Sequence, residues 1–182
     1  RIPILLLLLT ASKVHPDTTT SGIEAVPHID LEQRRIEGRR LSLRLDEHTL
    51  QLDIRAGLRR WETVSPSGGD LTVWHRDAPV NLALADARDQ RITSYRTGYS
   101  TGLLVELGEF GAPDTPLDLS LTLIITLEGP DEDLVCEILA REGSSALSEL
   151  RWPGPFAASS FDLTVVPYMQ GVLVPREWPE KV

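Results

Sequence analysis

Four tryptophans, Trp61, Trp74, Trp152 and Trp178, stand in a chain with only three Tyr and three Phe. A tryptophan offers a broad flat face that stacks on a sugar ring or fills a core, and an N–H that needs a partner when buried. Trp74 sits within an apolar run, which points to the core. Trp61 follows Arg59-Arg60, and its setting leaves core and surface both open. Trp152 and Trp178 each precede a proline, and Tyr168 follows Pro167. Proline fixes its own φ and restricts the residue before it. These three aromatics therefore ride on stiff loops, where they pin a loop to the domain or stand at a ligand site or domain junction. Trp152, Tyr168 and Trp178 are the candidate site residues. They are expected together at one end of the domain as an exposed apolar patch, either a junction with a neighbouring domain or a carbohydrate platform. The junction is the favoured reading.

Other chemistries find little footing. Gly98-Tyr99-Ser100-Thr101-Gly102 has the Gly-x-Ser-x-Gly spacing, but the residues after it alternate as a strand and supply no helix to raise a serine nucleophile. Ser67-Gly68-Gly69 opens no helical pattern, so a phosphate-cradling loop is not supported. His15, His28, His48 and His75 share no metal-ligand spacing. Asp131-Glu132-Asp133 carries hard oxygens but lacks the spacing of a calcium loop and reads as a solvated hairpin tip. Arg34-Arg35 and Arg39-Arg40 around Gly38 read as a solvated basic surface. Many acids are present, and nothing singles out a pair for glycoside hydrolysis. No catalytic residue, metal or cofactor is implied.

The chain has 182 residues, with 18 Lys plus Arg against 27 Asp plus Glu, for a net charge of −9. A length of this order is one domain or a domain with a tail. Nucleic-acid affinity comes chiefly from neutralising phosphates with basic residues, so an acidic chain makes nucleic acid an unsuitable partner. Cys136 is the only cysteine, which excludes an internal disulfide and a cysteine-type zinc site. Residues 1–12 have the outline of a signal-peptide remnant: Arg1, a run from Leu5 to Leu9, then small residues. A buried strand is the other reading of that run, which is too short to span a bilayer. A secreted or extracytoplasmic location is the matching expectation. Residues 13–40 read as a linker or irregular arm, with some helical promise only from Asp30 to Arg40.

From Leu41 onward the period is two. Leu41, Leu43 and Leu45 alternate with polar residues, Asp46 to Thr49 supply a turn, and Leu50, Leu52 and Ile54 repeat the pattern. This is a hairpin with one dry face and one wet face. From Leu117 to Leu127 every odd position is Leu or Ile, which a helix could hold only by wrapping leucines all round itself. Leu134, Cys136 and Ile138 carry the return strand. Weaker strands are expected at Leu71–His75, Val80–Leu84, Gly102–Phe110, Phe161–Val165 and Leu173–Val174. Many short strands with Gly and Pro between them make an all-β antiparallel sandwich with little helix over residues 41–182.

The stretch Leu150-Arg151-Trp152-Pro153-Gly154-Pro155-Phe156, followed by Val165-Val166-Pro167-Tyr168-Met169-Gln170-Gly171-Val172-Leu173-Val174-Pro175, resembles the end of a known domain. That domain is the N-terminal β-sandwich of large retaining glycoside hydrolases of the α-galactosidase and endo-α-N-acetylgalactosaminidase groups. Its fold is the galactose-mutarotase-like supersandwich. The resemblance implies that a catalytic TIM barrel of the same polypeptide carries the chemistry, because no position here matches a catalytic residue of those enzymes. It implies a supporting sandwich with carbohydrate as a further possible partner. A freestanding carbohydrate-binding module, or an extracellular interaction domain, is the alternative.

Overall fold

A computed structural model describes residues 26–157 in full, together with the backbone pairing of three outlying strands. In chain order the strands are β1 (Leu7–Leu9), β2 (His28–Asp30), β3 (Arg35–Glu37), β4 (Ser42–Leu45), β5 (Leu52–Ala56), β6 (Arg59–Glu62), β7 (Leu71–His75) and β8 (Ala78–Leu82). After a 3-10 turn at Leu84–Asp86 come β9 (Asp89–Arg96), β10 (Ser100–Gly108), β11 (Gly111–Ala112), β12 (Thr115–Pro116), β13 (Leu119–Glu128), β14 (Asp133–Glu142), β15 (Ala146–Leu150), β16 (Leu163–Val166) and β17 (Val172–Pro175).

Every pairing among the described strands is antiparallel. One five-stranded sheet runs β1-β14-β13-β10-β9 and the other β2-β3-β4-β5-β6. A three-stranded sheet, β15-β7-β8, and the small hairpins β11-β12 and β16-β17 complete the set. The all-β antiparallel sandwich expected from the sequence is the observed architecture. Leu7–Leu9, the apolar run near the start, pairs with Leu134–Cys136 at the edge of the first sheet.

The core follows from the alternation. Leu119, Leu121, Leu123, Ile125 and Leu127 of β13 are all buried. Their register stacks them with the neighbouring strands: Val105, Leu123 and Ile138 form one apolar row, and Leu103, Ile125 and Cys136 form the next. A slip of one residue would turn each row to the opposite face, so burial itself holds the register. From the second sheet, Leu43 opposite Ile54 and Leu45 opposite Leu52 enter the same core. Leu71 and Val73 of β7 join them.

Two expectations need correcting. The stretch Asp30–Arg40 holds no helix: the Asp30 carboxylate accepts the Gln33 N–H at 3.0 Å, Arg34 takes a φ of 52°, and β2 and β3 pair across this turn. The sheet thus begins before Leu41, inside what read as an irregular arm, because strands of three residues are too short to show a period. Trp74 is not core. It is 48% exposed, because in β7 the inward positions belong to Leu71 and Val73, and Trp74 shares the opposite face with Thr72.

Candidate functional site

Trp152 follows β15, where the chain leaves its three-stranded sheet. It is only 1% exposed, so its ring presents no face to solvent. The indole Nε1 donates to the carbonyl of Leu50 at 2.6 Å. The peptide bond to Pro153 is cis. On either side of the indole the backbone is stitched down: the Arg151 N–H donates to the Asp70 carbonyl at 2.7 Å, and the Gly154 N–H donates to the Gln51 side chain at 3.1 Å. The segment then lies along the end of β6. The Val64 N–H donates to the Pro155 carbonyl, the Ala157 N–H donates to the Glu62 carbonyl, and Phe156 bridges Thr63 in antiparallel pairing. A tryptophan–proline pair pinning a loop to the domain is what the structure builds here.

A buried polar cluster lies beneath this segment. Gln51, Thr63 and Asp70 are 5%, 6% and 1% exposed. The Gln51 Oε1 accepts from the Thr63 hydroxyl at 2.8 Å and from Gly154, while its Nε2 donates to Asp70 Oδ1 at 3.2 Å. The Thr63 Oγ1 accepts the Leu52 N–H at 2.8 Å, and Asp70 Oδ2 accepts the Leu84 N–H at 2.9 Å. Buried polar groups cost little only when partnered in this way. Burial pushes the Asp70 carboxyl above the ordinary aspartate range, and the bond from Leu84 only partly offsets it. Gly154 is required by space: a Cβ there would lie 2.0 Å from the Val64 carbonyl oxygen and 2.8 Å from Gln51 Oε1. The cluster is a clamp joining β5, β6, the start of β7, the Leu84 turn and the exit segment. Asp70 is closed to any substrate.

A second long-range tie corrects the reading of the acidic tip between β13 and β14. Glu132 is 4% exposed and not solvated. Its carboxylate accepts the N–H groups of Arg39, Arg40 and Leu41 at 2.6, 2.7 and 3.2 Å. Arg39 also reaches the Pro130 carbonyl, and Arg40 reaches Asp131. Burial pushes the Glu132 carboxyl up, but the three N–H bonds and the Arg39 guanidinium outweigh it and hold its pKa below the ordinary glutamate range. Gly38 packs against this carboxylate, and a Cβ there would fall 2.4 Å from Oε2. The basic cluster and the acidic tip, separate in the sequence, form one joint between the two five-stranded sheets.

Tyr168 and Trp178, the other two candidate aromatics, lie outside the described residues, as does the expected meeting of all three. Among the described residues no group of His, Cys, Asp and Glu converges to hold a metal ion, and no helix is long and apolar enough to cross a membrane. His75 is the one described histidine with a side-chain partner, Ser145 Oγ, 3.0 Å from its Nδ1. Sequence reasoning missed Gln51, Thr63 and Asp70, which carry no motif. It missed Trp74 as a surface residue, although parity with Leu71 and Val73 was a usable signal.

No family model and no curated protein matches the chain. Solved structures do. An α-N-acetylgalactosaminidase from Bifidobacterium bifidum, NagBb, in a quadruple-mutant form, aligns with a TM-score of 0.62 at 24% identity, over 81% of this chain and 23% of that one. Its complex with GalNAc aligns with a TM-score of 0.62 at 22% identity over the same shares. The ligand-free form gives a TM-score of 0.56 at 24% identity, over 81% of this chain and 22% of that one. The chain thus has the fold of one part of that enzyme and spans under a quarter of its length.

Proposed function

We propose that this chain is the non-catalytic N-terminal sandwich of a secreted glycoside hydrolase, supporting a catalytic barrel of the same polypeptide. The observation that carries the reading is the fold match itself, which takes in most of this chain and under a quarter of a glycosidase. The two buried carboxylates among the described residues support it. Asp70 is enclosed among amide groups and Glu132 is occupied by three backbone N–H groups, so neither is free to act on a glycosidic bond. The clamped exit segment suits a scaffold, since it fixes the direction in which the chain leaves its sheet.

Two measurements test this. The coding sequence beyond Val182 should continue for several hundred codons with alternating strand and helix patterns; a stop codon directly after Val182 would overturn the reading. The purified chain should leave aryl α-N-acetylgalactosaminides and α-galactosides intact. Turnover that co-purifies with the chain would remove the non-catalytic assignment.

A further inference from the structure

The geometry points to a carbohydrate subsite, one that takes a single neutral hexopyranose unit, on the exposed face of the β15-β7-β8 sheet at Trp74. This goes beyond the scaffold role and holds whether or not a catalytic domain follows.

Trp74 lies on the central strand of its sheet. Its cross-strand neighbours are Ala146 on β15 and Pro79 on β8. Neither side chain is tall enough to cover an indole, and Trp74 stays 48% exposed where its strand neighbour Val73 is fully buried. The same face continues in polar groups, with the Thr72 hydroxyl bonded to Asn81 at 2.9 Å and Glu149 opposite Thr72 on β15. A large uncovered aromatic plate beside polar side chains suits the C–H face of a sugar ring.

The rim supplies the polar half of the recognition. A groove of about 730 Å³ runs beside Trp74, lined also by His75, Arg76, Asp77, Pro116 and Ser144, within the size range of small-ligand sites. Arg76 and Asp77 form the two-residue turn between β7 and β8, both with positive φ (49° and 63°). That turn puts an exposed arginine and an exposed aspartate at consecutive positions, and among the described residues neither side chain has a hydrogen bond or ion pair. Each hydroxyl of a sugar both donates and accepts, so a vicinal pair can give to Asp77 and receive from Arg76 while the ring lies on Trp74. Bonds of this charge-assisted kind are the stronger ones. The chain's net charge of −9 selects against a polyanion and leaves a neutral polyhydroxylated ligand favoured.

The test is saturation-transfer NMR on the intact chain with methyl α-glycosides of glucose, mannose, galactose and N-acetylgalactosamine at millimolar concentration. At least one should receive saturation at its ring C–H protons. Trp74→Ala should abolish the transfer. Asp77→Asn should weaken binding at least about tenfold, the loss of one hydrogen bond to a charged group. Asparagine tolerates positive φ well, so this variant keeps the turn, and an unchanged thermal midpoint verifies the fold in both. No transfer to any of the four glycosides, or transfer that survives both substitutions, overturns the proposal.

Discussion

The indole of Trp152 and the carbonyl of Leu50, 102 positions apart, are joined by a 2.6 Å hydrogen bond in the buried interior. Leu50 holds a φ of 56° with its side chain fully buried. For a residue with a Cβ such a backbone state costs on the order of 1–3 kcal/mol. The bond to Trp152 and the core around Leu50 sustain it. The exit segment is thereby tied to the β4–β5 hairpin.

Trp152→Phe keeps an aromatic ring but strands the Leu50 carbonyl. It should cost about 1–3 kcal/mol, the usual penalty for a buried group left without its partner. Trp152→Ala adds a large cavity and should cost about 3–5 kcal/mol. Urea unfolding midpoints decide the matter. A change below about 0.5 kcal/mol for Trp152→Ala, the size of an ordinary surface substitution, would mean that the segment is not clamped.

Leu121 of β13 is 1% exposed. Leu121→Ala should cost about 2–5 kcal/mol by the same cavity argument. Ser120→Ala, on the other face of that strand, should fall within about 0.5 kcal/mol of the parent. Equal effects at the two positions would contradict the observed register.

The folded-state pKa of Glu132 lies below its ordinary value of 4.5. Its ionised form therefore favours the folded state above that value, and the contribution is lost as pH falls from there through the folded pKa. Glu132→Gln places an NH₂ against backbone N–H groups and should destabilise at neutral pH by about 1–3 kcal/mol. The gap between parent and variant should narrow on acidification in chemical-denaturation series. A pH-independent gap would assign the loss to packing alone.

Asp70 behaves with the opposite sign. Its folded-state pKa lies above the ordinary 3.8, so the folded protein takes up this proton first. Asp70 thus adds stability as pH falls through its folded pKa, a gain complete near its unfolded value. Asp70→Asn removes that gain. The stability of the parent relative to the variant should therefore rise on acidification, the reverse of the Glu132 series. The same direction in both series would refute the assignment.

The Cys136 thiol is 2% exposed, and burial pushes its pKa up to about 12. Thiolate is the reactive form, so the native chain should resist Ellman's reagent at neutral pH and react fully in denaturant. Rapid labelling of native protein would show that the β13–β14 region opens.

Alternation along β13 and along β4 and β5 is a local property, set by side chains pointing to opposite faces at successive residues. The sequence by itself therefore determined the sandwich class, its main hairpins and the odd-numbered leucines of its core. Alternation says that two faces differ, but it does not say what covers each one. Trp74 stayed on the surface because its neighbours across the sheet are Ala146 and Pro79. Glu132 went inside because the loop at Arg39 to Leu41, 91 to 93 positions earlier, brought three N–H groups to it. Trp152 found its acceptor on a distant hairpin, and β2 and β3 were too short to carry a period at all. These placements depend on which segments meet in three dimensions, and only the tertiary structure decided that.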